Sequence, residues 1–287
     1  MRDRARIIED IRARREWRKA VTGRNPPRRK LPAQLQPDAI RLQYFREIRD
    51  FLKTARGLVQ SVLVPALPSF VNEAKEERGD RLDSASGRAQ KLIDQIANEF
   101  GKQVSTKEMS DLAFKIGNRT AGFQKEQLYK QIRAAVGVDV LGREPNLVPR
   151  VEQFTVENVA LIKSVPQRYF SDIEKVLTRR ISDGDRWEDI ATELEDRYGV
   201  AESSAKLIAR DQVGKFFGDL NEARQTALGI DSYIWQTAND NRVRDEHAAL
   251  QGEQFDWSDP PEDGHPGEPV NCRCWPEPVL DDILDAL

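Results

Sequence analysis

The stretch "DAIRLQYFREIRDFLKTARGLVQSVLVPALPSF", residues 38–70, decides the fold class of this chain. Its apolar side chains recur every three or four residues, the period of one helix face: Ile40, Tyr44, Ile48, Leu52, Leu58, Val59 and Val62. Pro65 and Pro68 are predicted to end this helix, because proline lacks the N–H that a helix interior needs. The same period returns over residues 84–100 and 105–136. The pattern predicts a helical bundle or hairpin array.

Three more helices are predicted between residues 155 and 229, after a joint rich in Val, Gly and Pro at residues 136–154. They are "TVENVALIKSVPQRYFSDIEKVLTRRISDG", "RWEDIATELEDRYG" and "AESSAKLIARDQVGKFFGDLNEARQTALG". Each opens near a capping residue and closes on a glycine that favours a helix end: Thr155, Asp185 and Glu202, and Gly184, Gly199 and Gly229.

The residue composition and the spacing of apolar residues change from Asp231 onward. "SYIWQTA", "EQFDW" and "CRCWPEPVL" read as short strands, and "RVRDEHAALQG" reads as a short helix ended by Gly252. The fold class is therefore predicted to be mainly α with a small C-terminal α+β module, an elongated helical bundle followed by a compact mixed domain. The predicted divisions are a basic arm (1–36), a helical region (37–145), a helical subdomain (146–229) and the α+β module (230–287).

Composition and charge limit the function classes. Of 287 residues, 39% are hydrophobic and 32% are charged, and no run approaches the roughly 20 apolar residues of a membrane span. With no secretory signal pattern at the N-terminus, we expect a soluble protein made in the cytoplasm, without a membrane partner. Residues 1–30 hold 12 basic and 4 acidic side chains, whereas residues 231–287 hold 14 acidic and 3 basic ones. The two ends are expected to meet different partners.

The basic N-terminal segment combines helical apolar spacing with a dense set of cations. It is predicted to contact nucleic acid phosphates or an acidic protein surface, or else to be a solvated tail that orders only in an assembly. The residues assigned to this arm are Arg12, Arg14, Arg15, Arg18, Lys19, Arg28, Arg29 and Lys30.

All the histidines and cysteines of the chain fall within 28 residues: His247, His265, Cys272 and Cys274. Two imidazoles and two thiolates make a sufficient tetrahedral set for zinc, although a Cys-x-Cys pair is less common in such sites than wider spacings. In the alternative interpretation the thiols are small buried apolar groups and His265 is a turn residue beside Pro266. The pattern makes no cofactor certain, and zinc is the ion it would suit.

Catalytic interpretations are weaker on the sequence alone. A cysteine with one of the histidines as base has the inventory of a nucleophilic site, but its acidic surroundings would raise the pKa of the thiol. The phosphate-binding glycine loop, the dinucleotide fingerprint, the nucleophile elbow and the His-Glu-x-x-His pattern are all missing.

The C-terminal half resembles the head morphogenesis, or minor head, protein family of tailed bacteriophages typified by the F-like protein of phage Mu. The resemblance covers roughly residues 155–280. Some members of that family carry Cys-x-x-Cys where this chain has Arg244 and His247, so the chain departs from the pattern at Arg244. The matching positions are Ala209, Arg210, Asp211, Gln212, Gly229, Trp235, Arg242, Val243, Arg244, His247, Leu250, Gly252, Phe255, His265, Pro266, Gly267, Asn271, Cys272, Arg273 and Cys274.

This resemblance implies a non-enzymatic virion component, located at the portal vertex or in the capsid interior after assembly in the host cytoplasm. Its implied partners are the portal protein, the major capsid protein and, through the arm, packaged DNA. Structural roles are expected for Arg210, Asp211, Trp235, Arg242, Arg244, Gly252, Asn271 and Arg273. The alternative is a toxin-like nuclease or transferase module in which His247 acts with Arg242 and Arg244 on a phosphate-bearing substrate.

Overall fold

The computed structural model describes residues 31–76, 82–136 and 145–280, with the single positions 13, 17, 20 and 21. All the arm residues named above lie outside this part of the chain. The helices are α1 (Asp38–Leu58), a π-helical segment (Val59–Leu63), α2 (Val64–Glu76), α3 (Leu82–Gln103), α4 (Thr106–Val136), α5 (Val148–Asp183) and α6 (Trp187–Ala227). They are followed by β1 (Ser232–Thr237), α7 (Asp245–Ala249), β2 (Gln254–Asp256) and β3 (Cys274–Pro278).

The three strands form one antiparallel sheet in the order β2-β1-β3. The central strand β1 pairs Tyr233 with Phe255 on β2, and it pairs Thr237 with Cys274 on β3. Tyr233 and Trp235 are two residues apart and share one face, and both are fully buried. The predicted fold class, mainly α with a small C-terminal α+β module, is confirmed.

The prediction that Pro65 and Pro68 end the first helix is wrong. The π-helical segment runs directly into α2, and Pro65 is the second residue of α2. Pro68 lies inside α2. The face that continues past both prolines is buried at Leu63, Leu67 and Val71, and burial of that apolar face stabilises the helix despite Pro68.

Gly199 does not end a helix either. Residues 187–227 form a single helix of 41 residues, and α5 begins at Val148, before the predicted cap at Thr155. A mid-helix glycine costs only about 1 kcal/mol relative to alanine, and buried residues on both sides of Gly199 continue the same face: Leu194, Tyr198, Ala201, Ala205 and Ala209. By contrast, Gly184 and Gly229 have φ angles of 75° and 76° and stand where α5 and α6 have ended.

The chain divides into two compact units, each drawn from separate stretches of sequence. The first unit combines Met1–Ile40, Ile116–Val151 and Asp211–Leu287, as far as these residues are described, and the second combines Arg41–Lys115 and Glu152–Arg210. The domain boundaries expected after residues 36, 145 and 229 stay predictions. None of the described helices combines the length with the apolar composition that a membrane span requires.

The second unit is a helical core held by aromatic and ionic contacts. The Tyr44 hydroxyl donates to Asn158 Oδ1 at 2.8 Å, and both residues are fully buried. The ring of Tyr198 packs edge-on against Tyr169, and the guanidinium of Arg56 lies 4.6 Å from the centre of the Tyr198 ring. These contacts join α1, α5 and α6 within this unit.

A buried amide network organises the first unit. Gln34 Nε2 donates to Gln131 Oε1 and to Asn221 Oδ1, each at 2.9 Å, and Gln124 Nε2 donates to the same Asn221 oxygen at 2.8 Å. Farther along α6, Gln225 Nε2 donates to the Pro276 carbonyl at 3.0 Å. The last of these bonds ties strand β3 to helix α6 and so sets the place of the module on its helix.

Candidate metal centre

Three side chains with metal-ligating atoms meet in the C-terminal module: His247, Cys272 and Cys274. His247 lies on α7, whose first turn carries acidic residues that suit a helix N-terminus. Asn271, with a φ of 60°, turns the chain into the Cys-x-Cys segment. Cys272 and Cys274 are two residues apart along a nearly extended chain, and this spacing lets both thiols point to the same side.

The distances within this group are short. His247 Nδ1 lies 3.7 Å from Cys272 Sγ and 3.5 Å from Cys274 Sγ, and the three candidate ligand atoms all lie within 4.8 Å of one another. All three side chains are buried, with exposed fractions of 2%, 8% and 4% for His247, Cys272 and Cys274. The group is therefore a compact, largely water-excluded set of one nitrogen and two sulfur donors.

Asp263 orients the ring of His247. Its Oδ2 lies 3.2 Å from His247 Nε2, so Nε2–H donates to the carboxylate and the Nδ1 lone pair is directed toward the two sulfurs. The sequence prediction missed this residue, because an aspartate in a proline-rich loop carries no local signal for a partner 16 residues earlier in the chain.

The two thiols interact closely, and each shifts the pKa of the other. A hydrogen bond from Cys274 lowers the pKa of Cys272 to about 6, against the effect of burial. The hydrogen bond to Cys272, followed by burial, raises the pKa of Cys274, whereas the indole N–H of Trp235 acts in the opposite direction. Cys272 is thus the thiol that ionises first, whereas the thiol of Cys274 keeps its proton.

His265 does not join the group, in contrast to the predicted four-ligand set. Its Nδ1 lies 2.9 Å from the Tyr233 hydroxyl, and its ring centre is 4.9 Å from that of Trp257. Burial raises the pKa of Tyr233, so the hydroxyl stays protonated and donates to His265 Nδ1. The Nδ1 lone pair is used within an aromatic cluster, as a buried polar ring requires.

The loop that carries His265 lies against α6 at a glycine contact. A Cβ atom added at Gly218 would stand 2.6 Å from the Pro266 carbonyl oxygen, and one added at Gly267 would stand 3.1 Å from the Gly214 carbonyl oxygen. Gly267 also has a φ of 107°, a conformation that side chains rarely adopt. The two glycines of "GKFFG", residues 214–218, are a signal for close packing that the sequence prediction did not use.

Most of the residues for which structural roles were predicted make contacts within the C-terminal module or between this module and α6. Asp211 Oδ1 accepts from the Asn271 backbone N–H at 3.3 Å. Both Arg242 and Arg273 pair with Asp240, and Arg273 Nε lies 3.1 Å from its Oδ1. Further contacts come from Arg244, which donates to the Val270 carbonyl at 2.6 Å, and from Gly252, whose N–H donates to the Trp235 carbonyl at 2.8 Å. Of the eight residues for which structural roles were predicted, Arg210 is part of the second unit and the other seven belong to the first unit.

The geometry also bears on the catalytic hypotheses. The predicted nuclease-like arrangement needs His247, Arg242 and Arg244 to converge on a substrate, but His247 is 2% exposed and its ring faces Asp263 and the thiols. The guanidinium of Arg242 is directed to Asp240 and that of Arg244 to a backbone carbonyl. The described contacts give these three side chains structural partners instead of a shared open surface.

Comparison with known proteins places this part of the chain in context. Residues 171–276 match the family model described as Phage Mu protein F like protein. The match confirms the resemblance to phage Mu F-like proteins over these residues.

An uncharacterized protein of Haemophilus influenzae is 29% identical to the chain over 244 residues, which are 84% of this chain and 53% of the relative. The chain thus spans about half the length of the curated relative it matches. No solved structure shows a significant match to it.

Proposed function

We propose that the chain, whose residues 171–276 match the phage Mu F-like family, is a minor head protein of a tailed bacteriophage. It associates with the portal vertex or the capsid interior, binds the portal protein and the major capsid protein, and is required for head morphogenesis. The family match carries this proposal, because it spans α6, the central strand β1 and the whole group of His247, Cys272 and Cys274.

The surface charge of the α+β module supports a protein partner for this end of the chain. Residues 231–280 are all described, and among them the exposed cations are Arg242 and Arg244. The exposed carboxylates are far more numerous: Asp231, Asp245, Glu246, Glu253, Asp256, Asp259, Glu262, Asp263 and Glu268. A surface of this sign repels DNA phosphates and favours a basic protein surface. We call the surface that these carboxylates form the acidic face, and we assign it to contact with the portal or capsid protein.

In this proposal the chain is a structural protein and not an enzyme. Support comes from the burial of His247 and from the structural partners of Arg242 and Arg244. Purified protein incubated with single-stranded and duplex nucleic acids should leave them intact. Cleavage that disappears in a folded His247→Ala variant would instead establish the nuclease alternative.

The assembly role is tested on virions of the phage whose genome encodes the chain. Mass spectrometry of purified heads should detect the chain at low copy relative to the major capsid protein, and deletion of its gene should yield defective heads. The full-length chain should also co-purify with the portal protein. Absence from virions, together with normal heads after deletion, would refute the proposal.

The acidic face allows a matched test of the contact. Replacing Glu253, Asp256 and Glu262 by lysine should weaken co-purification with the partner protein. The control introduces the same change in charge in the second unit, at the exposed residues Glu152, Glu157 and Asp196. Equal weakening by both variants would show that net charge, and not this face, governs the association.

We further propose that the basic arm binds packaged DNA and so gives the protein a part in DNA packaging or ejection. Residues 1–30 carry a surplus of eight positive charges, which predicts an affinity for duplex DNA that falls steeply with salt. Fluorescence anisotropy should show this affinity in the full chain and its loss after removal of residues 1–30. Unchanged affinity in the truncated protein would exclude a DNA-binding role for the arm.

A further inference from the structure

We propose that the C-terminal module binds one Zn²⁺ ion through His247 Nδ1, Cys272 Sγ and Cys274 Sγ, with a water molecule as the fourth ligand. Asp263 holds the far nitrogen of the His247 ring and is not a ligand. This inference is independent of the proposed role in phage heads, since it rests on the geometry of side chains within the module.

The two nitrogen–sulfur distances match those of a tetrahedral zinc site. With Zn–S bonds of about 2.3 Å and Zn–N bonds of about 2.0 Å at tetrahedral angles, the nitrogen and each sulfur stand about 3.6 Å apart. The structure places His247 Nδ1 at 3.7 Å and 3.5 Å from the two sulfurs. An ion fits between these atoms with little movement of the protein.

The contact between Asp263 and His247 selects the ligating nitrogen. A metal-bound imidazole commonly donates its other N–H to a carboxylate, which sets the tautomer and the direction of the ring. Asp263 Oδ2 stands 3.2 Å from Nε2, on the side of the ring away from the two sulfurs. His247 is thus prepared to bind through Nδ1, the nitrogen that already faces Cys272 and Cys274.

Trp235 supplies a second, independent observation. Its side chain is fully buried, its ring lies edge-on to His247 with centres 5.2 Å apart, and its indole Nε1 has no oxygen or nitrogen acceptor. Trp235 and Cys274 pack in the same buried cluster, and the indole favours the thiolate form of Cys274. A buried donor without an oxygen acceptor is costly, and a zinc-bound thiolate at Cys274 would satisfy it, because a thiolate is a better acceptor than a neutral thiol.

The chemistry of the donors favours zinc over other divalent ions. Two thiolates and an imidazole in a tetrahedral arrangement suit Zn²⁺, whereas Mg²⁺ and Ca²⁺ require oxygen ligands. Binding removes the remaining thiol protons and joins α7 to the Cys-x-Cys segment. In a module of about 50 residues, such a link supplies stability that a small apolar core provides only in part.

The first measurement is the metal content of the full-length chain. The protein is purified with a reductant and without added metal or chelator, and elemental analysis should find about one zinc per chain. After removal of the metal by a chelator, addition of Co²⁺ should produce an absorption spectrum with the visible bands of a tetrahedral ion and a sulfur-to-cobalt charge-transfer band. Absence of zinc in the purified protein, and of cobalt bands after reconstitution, would overturn the proposal.

Variants separate the ligands from their neighbours. Cys272→Ser and Cys274→Ser should each abolish the charge-transfer band or reduce it strongly, and Asp263→Asn should weaken zinc affinity by about 10- to 100-fold while keeping the ligands. His265→Gln is the matched control, because it removes a buried imidazole of the same module that is not a ligand.

The pattern of results decides between a bound ion and a merely structural cluster. Circular dichroism confirms that each variant is folded before its metal affinity is measured. If His265→Gln loses zinc while Asp263→Asn binds it as tightly as the parent chain, the ligand set is wrong. Retention of the metal by a folded Cys272→Ser, Cys274→Ser double variant would also refute the assignment.

Discussion

Replacement of Gly218 by alanine tests the contact that places the His265 loop on α6. The added Cβ would lie 2.6 Å from the Pro266 carbonyl oxygen and 3.3 Å from Gly267 Cα, both of them backbone atoms. Ordinary contacts begin near 3.4 Å, so the loop or the helix must move by most of an ångström. The loop is not free to move, because His265 is bound to Tyr233 and its N–H donates to Glu268.

The expected magnitude follows from two opposing effects. Forcing an extra methyl group into a packed contact costs about 1–3 kcal/mol, whereas alanine is about 1 kcal/mol better than glycine in a helix interior. Gly218→Ala should therefore lower the free energy of unfolding, by up to about 2 kcal/mol. Gly122→Ala is the control, since Gly122 is also helical, belongs to the same unit and has open space around it. This variant should gain about 0.5–1 kcal/mol.

Urea denaturation followed by tryptophan fluorescence measures both variants. Three of the five tryptophans, Trp235, Trp257 and Trp275, lie in the α+β module, so the signal reports on the unit that the mutation affects. The midpoint should fall for Gly218→Ala and rise for Gly122→Ala. If Gly218→Ala raises the midpoint as the control does, the close approach of loop and helix is refuted.

Two further predictions concern the second unit. Glu193 accepts hydrogen bonds from Arg197, Arg180 and Arg179, which lower the pKa of its carboxyl from 4.5 to about 2. The contribution of these hydrogen bonds to the free energy of unfolding is complete above pH 4.5 and is lost as the pH falls toward 2. Glu193→Gln should lower the free energy of unfolding by about 2 kcal/mol at pH 7, a value reduced for solvent screening because the arginines are partly exposed. Urea midpoints measured from pH 7 to 2 should converge for the two proteins, and parallel curves would contradict the assignment. Tyr44→Phe removes the buried hydrogen bond to Asn158 and should lower the free energy of unfolding by about 1–2 kcal/mol; a thermal midpoint equal to that of the parent chain would show that this bond adds no net stability.

The amino-acid sequence alone was sufficient to predict which kinds of local structure form. Apolar residues at helical spacing, such as Ile40, Tyr44, Ile48 and Leu52, predict α1 because the period of a helix is a property of neighbouring residues. The aromatic and β-branched composition of "SYIWQTA" predicts β1 in the same way. The resemblance of the C-terminal half to phage Mu F-like proteins could also be read from residue identities and spacings, and the family match confirms it over residues 171–276.

Helix ends were harder to predict where tertiary burial opposes local preference. Gly199 and Pro68 each carry a local penalty of about 1–3 kcal/mol in a helix interior. Several buried side chains on either side of each position stabilise the continuous helix by more than that penalty. The sequence predicted a break at both positions because it shows the penalty and does not show the surface against which the helix packs.

The sequence also grouped the two histidines and the two cysteines without being able to rank them. Only the tertiary structure separates His247, which meets Cys272 and Cys274, from His265, which meets Tyr233. It likewise decides that Asp263 orients the ring of His247. The physical reason is that composition and spacing determine which groups are available, whereas the pairing of β1 with β3 and the packing of the loop on α6 determine which atoms lie within bonding distance.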